Sequence, residues 1–258
     1  MSPAGARTPR APEAAEPGVQ EYRVSGAKKF YETVSVEEVP SGGAEVLLDG
    51  KRVKTPKREP LAFPSTALAE AVAEEWRGQG ETIDPGTMPL TRLANTAIDG
   101  VSAMEEAVLE DILNFAGTDL LCYRASGPDG LIAKQQEIWD PVLGWIAQRY
   151  GAEFALAEGV IHVEQPADSV VALRDALKGL DPFGLAALHV MTSLTGSALL
   201  ALAVAEGEIG PEAAWEAAHV DEDWQIGLWG EDAEAAERRE ARRQDFAAAA
   251  KMLKLLRC

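Results

Sequence analysis

The chain is poor in the residues that carry out chemistry. Its 258 residues include two cysteines, Cys122 and Cys258, and three histidines, His162, His189 and His219. Two cysteines make neither a disulfide framework nor a zinc motif. A reducing compartment is the simplest inference. No two histidines share a metal-ligand spacing such as H-x-x-x-H. There is no G-x-S-x-G elbow, since "LTGSA" does not fit one, and no G-x-x-x-x-G-K-[ST] or G-x-G-x-x-G phosphate loop. Positive charge is also scarce. The net charge is −18, unevenly spread: residues 1–60 hold 10 Lys/Arg against 9 Asp/Glu, and residues 61–258 hold 14 against 33. An acidic body repels phosphate backbones, which argues against nucleic-acid binding. The acidity has two readings, solubility or discrimination among protein partners by charge.

Long apolar runs are nearly absent. The N-terminal "MSPAGARTPRAPEAAEPGVQ" lacks the apolar core of a secretory signal, and Glu13 and Glu16 argue against a transit peptide. A Pro/Ala-rich disordered tail over residues 1–27 is expected. Pro182–Ala205 has no charged residue apart from His189 when protonated, and is long enough to span a bilayer. Gly184, Thr192, Ser193, Thr195, Gly196 and Ser197 interrupt it, and Thr195 is a plausible helix cap. Two short buried helices are therefore expected, without stable membrane insertion.

What is present is an α+β pattern: a small N-terminal β domain, then a larger, mainly helical domain. Residues 28–64 read as strands, with Asp49-Gly50 as a hairpin turn of the type that needs positive φ. Hydrophobic residues make up 47%, much of it Ala, which favours helix in the remainder, 65–258. Ser65 caps a helix whose stripe is Leu68, Val72 and Trp76. As a fully buried residue, Trp76 would cost about 3–5 kcal/mol on replacement by Ala. Ser102 to Glu105 has capping-box spacing. Asp140-Pro141 and Asp181-Pro182 read as a cap followed by Pro at the first helical position, so the segment around Trp139 predicts two helices or one kinked one. Asp168 is read as a further cap. Two helices broken at Gly230 are expected after Pro211, the second laced by i,i+4 opposite charges. Cys122 and His189 read as buried core residues.

The stretch "TIDPGTMPLTRLANTAIDG", Thr82–Gly100, resembles an active-site loop in composition but holds no His, Cys or Ser. Its helix starts at Thr87 or at the Asp84-Pro85 turn, with Pro89 in the first turn. Thr91, Asn95 and Asp99 fall at i, i+4 and i+8, on one polar stripe. That stripe either ties the helix to its neighbours by hydrogen bonds or faces a partner. In "DEDWQIGLWG", Trp224 and Leu228 are spaced to share a buried face, and Glu222 points elsewhere. Asp221 and Asp223 diverge around the helix.

"KKFYETVSV", "LLDGKRVKTP", "EEW…TIDPGTMPLTRLANTAID", "DLLCYRA", "QQEIWDPVLGWIAQRYG" and "DEDWQIGLWG" occur in this order between Lys28 and Met252. Together they resemble the Atp12 family of assembly chaperones for the F1 part of ATP synthase, with Arg77 where the family usually has an acid. The resemblance implies a β domain followed by a helical domain, no enzymatic activity and no cofactor. It implies that the partner is the unassembled F1 α subunit. It favours Glu222 first as a client contact, with Gln225, Asp221, Asp223 and Trp229 around it and Gly230 setting the helix break. A bacterial cytoplasm is expected, or the mitochondrial matrix in a eukaryote. Two other classes stay open: an enzyme with its site in the cleft between the β and helical parts, and a membrane-associated assembly factor.

Overall fold

Asp49 and Gly50 take φ of 49° and 73° and close the first hairpin, as the sequence predicts. The structure, a computed structural model, describes residues 26–40, 42–159 and 162–257. The expected tail lies outside these residues except for Gly26 and Ala27. Ala27 already accepts a hydrogen bond from Ile83 N at 2.8 Å.

The sheet is built on β2 (Ala44–Leu48). β1 (Val34–Glu38) pairs antiparallel along one edge, and β3 (Lys51–Arg52) and β4 (Ala62–Phe63) share the other. Every residue of β2 is buried, because both its edges and its faces are covered. Asp49 also accepts from Glu32 N, Thr33 N and Thr33 Oγ1, which fixes the start of β1.

Helix α1 (Thr66–Arg77) lies against this sheet. Ser65 caps it, and the Ser65 hydroxyl also donates to Leu255 O at 2.9 Å, joining its start to the far end of the chain. Leu68 and Val72 are fully buried, but Trp76 is only half-buried. Its ring lies edge-on to Tyr31, 5.7 Å between centroids, because the N-terminal segment rather than the core covers this end of the helix. Full burial of Trp76 was the wrong expectation, and its replacement should cost less than a core value.

Nine more helices follow α1 in the described residues: α2 (Pro89–Asp99), α3 (Glu105–Gly117), α4 (Asp129–Tyr150), α5 (Ala167–Leu177), α6 (Pro182–Thr195), α7 (Ala198–Glu206), α8 (Pro211–Ala218), α9 (Val220–Trp229) and α10 (Ala233–Leu256). A short parallel pair, β5 (Tyr123–Arg124) and β6 (Ala157–Glu158), lies among them. The apolar helix α6 is central and packs on α2, α3, α7 and α10. Phe183 on α6 meets Phe63 on β4 at 5.9 Å, so sheet and helices share one contiguous core. No helix among the described residues is long and apolar enough to cross a membrane.

Several caps differ from the sequence reading. Asp181 does cap α6, with Pro182 at its first position. Asp140 does not cap anything: α4 runs unbroken through Pro141 until Gly151, and Asp140 instead pairs with Arg124 at 2.7 Å. Ser102 bonds back to Ile98 O, and α3 starts only at Glu105. Pro166, not Asp168, precedes α5, and Asp168 sits in its first turn. Thr195 ends α6 by bonding to Met191 O, while Ser197 caps α7. After Pro211 there are three helices rather than two, since His219 separates α8 from α9. Cys122 is buried, and burial pushes its thiol up to about 12. His189 is not a core residue; its ring is a third exposed and bonds Asp111 at 2.7 Å.

Asp119 is the most deeply buried carboxylate among the described residues. It accepts from Leu121 N, Ser197 Oγ and Leu199 N, at 3.1, 2.7 and 3.0 Å. It thereby helps to cap α7 from a distant part of the chain. Burial pushes its carboxyl up to about 6 despite these donors. An unfolded Asp titrates at about 3.9, so between about pH 4 and 6 the folded chain holds a proton the unfolded chain has released. This group's contribution to stability is therefore present below pH 4 and lost as pH rises through about 6. Asp119→Asn should cost roughly 1–3 kcal/mol, because an amide N–H then faces the Leu199 N–H. It should also abolish this slope, which urea midpoints at pH 4, 5, 6 and 7 will show by difference from the wild type.

Candidate functional site

The segment Thr82–Gly100 is a structural seam. Asp84 caps a short 3-10 turn, Pro85–Thr87, and α2 begins separately at Pro89. Met88 provides no side-chain cap. Glu75 of α1 does so instead, accepting from Leu90 N, Thr91 N and Thr91 Oγ1 at 2.7, 2.8 and 2.7 Å. Burial raises the Glu75 carboxyl, and these donors and Lys251 oppose the rise. At the other end, Asp99 accepts from Thr55 Oγ1 and Lys57 N, and its carbonyl accepts from Lys57 Nζ. Thr91 and Asp99 thus hold α2 to α1 and to the connection between β3 and β4. Asn95, between them, has its Oδ1 buried without a hydrogen-bond partner among the described residues. The polar stripe follows the first of its two readings at both ends.

Trp139 is fully buried at the centre of α4. Its indole N–H donates to Ala217 O at 2.8 Å, and Arg124 lies over its ring, 5.3 Å from guanidinium to centroid. Gln135, also buried, accepts from Ala125 N and donates to Asp221 Oδ1 at 2.6 Å. The Trp224 ring fits against the start of α4. A Cβ on Gly130 would stand 2.8 Å from its edge, so only glycine allows this approach.

These contacts sort the acids of α9. Asp221 is tied to α4 through Gln135. Asp223 pairs with Arg239 of α10 at 2.6 Å. Glu222 is held only loosely, with His219 Nε2 at 3.9 Å and Arg239 Nε at 4.0 Å. His219 is buried, and burial lowers its pKa below the ordinary value. Its Nδ1 lies 2.7 Å from Trp215 O, so Nδ1 carries the proton and the neutral Nε2 has none to give Glu222. As the sequence predicts, Asp221 and Asp223 diverge and Glu222 points elsewhere. The predicted buried face of α9 is not formed, however. Trp224 is half-buried, but Leu228 is 59% and Trp229 83% exposed. Gly230, at φ 88°, ends the helix and lets the chain turn into α10.

The turn opens a hollow of about 210 Å³, lined by Glu222, Gln225, Trp229, Gly230 and Arg239 among others. The structure thus brings together four of the predicted residues, and sequence reading missed Arg239. Arg239 is a residue of the charge-laced helix, but its i,i+3 and i,i+4 neighbours, Ala235, Ala236, Arg242 and Arg243, include no acid, and its partner is on α9. No group of three or more His, Cys, Asp or Glu among the described residues could hold a metal ion. The arrangement offers acceptors, an exposed indole and a shallow apolar floor, which suits recognition of a protein surface.

Comparison with known proteins places the chain among chaperones. The model of the ATP12 chaperone protein family matches residues 28–147. A candidate chaperone from Agrobacterium tumefaciens is 52% identical, with a TM-score of 0.86 over 89% of this chain and 86% of that one. Atp12 from Paracoccus denitrificans is 40% identical, with a TM-score of 0.84 over 89% of this chain and 98% of that one. A point mutant of that protein matches equally well. The chain belongs to the ATP12 chaperone family, whose members are not enzymes as a rule.

The two neighbouring acids should respond differently to removal. Asp221→Ala leaves the buried Gln135 amide unpaired and should cost roughly 1–3 kcal/mol. Glu222→Ala removes no close contact and should stay within about 0.5 kcal/mol. Chemical denaturation of both variants beside the wild type checks this. Equal losses would show that Glu222 is held as firmly as Asp221.

Proposed function

We propose that this protein binds the unassembled α subunit of F1 ATP synthase and keeps it from aggregating until β subunits replace it. Membership of the ATP12 chaperone family carries this reading. A subunit made for a ring exposes large apolar interfaces when alone, and such surfaces aggregate. A chaperone must cover that surface and still yield to the true neighbour, so its affinity has to be the lower of the two. No cofactor is required. The site of action is the bacterial cytoplasm, or the mitochondrial matrix in a eukaryote.

The client contact is centred on Glu222, with Gln225 and Trp229 beside it on the rim of the hollow. Asp221 and Asp223 contribute by holding α9 in place through Gln135 and Arg239. Glu222 suits a basic or amide-rich patch, because its carboxylate is 45% exposed and makes no close ion pair.

Size exclusion with isolated α subunit and with assembled F1 tests the reading. Binding to the free subunit alone is expected; equal binding to both, or to neither, contradicts it. Glu222→Lys should melt like the wild type, since a surface charge usually costs within about 0.5 kcal/mol, and should lose protection of α against aggregation. A variant that melts normally and protects as well as the wild type removes Glu222 from the contact.

A further inference from the structure

One face of α10 lies under two adjoining hollows. Ala235, Ala236 and Arg239 help to line the first, beside Trp229. Arg243, Phe246 and Ala247 help to line the second, of about 120 Å³, beside Trp215 of α8. Steps of three and four residues keep these positions on one side of the helix. Arg239 and Arg243 are one turn apart, so the hollows are successive stretches of a single trough. From Ala236 to Ala247 the helix advances about 16 Å at ~1.5 Å per residue.

The trough is net negative. Glu212 and Glu216 stand at one end, and Glu222, Glu231 and Asp232 at the other. Its two guanidiniums are already paired, Arg239 with Asp223 at 2.6 Å and Arg243 with Glu240 at 2.7 Å. Five carboxylates therefore face the trough without an equal number of available cations. At the acidic end the Trp229 ring is 83% exposed, with Leu228 beside it 59% exposed. Apolar surface of this kind is stabilised by being covered.

The walls also restrict the form of an occupant. Apart from Gly230, Glu231 and Asp232, the lining residues belong to α8, α9 and α10, whose backbone groups are largely bonded within the helices, and no strand lines either hollow. An extended segment lying there would leave its own N–H and C=O groups unpaired, whereas a helix brings them already bonded.

We propose that the trough receives one amphipathic helix of the client, with Lys or Arg along its flanks and two large apolar side chains eleven positions apart. Eleven residues are close to three turns, so both anchors fall on one face and match the rise of about 16 Å from Ala236 in the first hollow to Ala247 in the second. The proposal rests on the chaperone reading and specifies which kind of client segment that reading requires.

A photo-crosslinking amino acid placed at Gln225, and separately at Ala247, tests it, because both positions are exposed on the trough. Co-elution of the wild-type protein with free F1 α subunit is measured first. Both probes should then attach to one client segment of basic amphipathic character, at points about eleven residues apart. Attachment to separate segments, from one position only, or from neither overturns the trough while the co-elution leaves the chaperone reading intact. Failure of the wild-type protein to co-elute overturns both. In a second arm, Trp229→Ala and Ala247→Arg should each weaken α binding tenfold or more with unchanged melting, while the exposed Phe30→Ala should leave it unaltered. Wild-type affinity in both trough variants also overturns the proposal.

Discussion

A carboxylate from one helix caps the start of another, and the architecture depends on that contact. α2 begins at Pro89 with only Met88 in front of it, so its first amides have no local acceptor. Glu75 reaches across from α1 to take Leu90 N, Thr91 N and the Thr91 hydroxyl. With that end fixed, Asp99 at the other end meets Thr55 and Lys57 of the sheet region. α2 then lies against α6, around which the remaining helices pack. Asp119 repeats the device at α7, joining Ser197 from 78 residues away. Both carboxylates are held by several donors, and both titrate higher than an ordinary carboxylate because they are buried.

The same two contacts mark the limit of what the sequence reveals. Asp49-Gly50, Ser65, Asp181 and Gly151 work through neighbours within a few residues, so their roles were legible. Ser102, Asp140, Asp168 and Thr195 are the same kinds of residue and failed as caps. Ser102 and Thr195 found a carbonyl one turn back, and Asp140 found Arg124. A cap is decided by competition with such partners, which spacing alone does not disclose. The acceptors that matter most, Glu75 and Asp119, act on amides 15 and 80 residues away along the chain.

The candidate site divides in the same way. Divergence of Asp221, Glu222 and Asp223 follows from helical geometry and was readable. The exposure of Leu228 was not, because an i,i+4 apolar pair such as Trp224 and Leu228 implies burial only if another element covers it. α9 is anchored at its start by Asp221 and Trp224 against α4, and by Asp223 against α10. Its last turn extends past these anchors. The molecule thus spends its close polar contacts on building the scaffold, and leaves an acidic, aromatic rim beyond them. A chaperone whose grip must later yield to a true subunit is suited by such a rim, where contacts are few and shallow.

We propose a division of labour: the polar stripe of α2 builds the protein, and α9 with α10 meets the client. Hydrogen exchange followed by mass spectrometry, with and without free F1 α subunit, reads both regions at once. Slower exchange on client binding is expected across residues 222–247, with the amides of 82–100 unchanged. Protection centred on 82–100, with 222–247 exchanging as in the free protein, would contradict it.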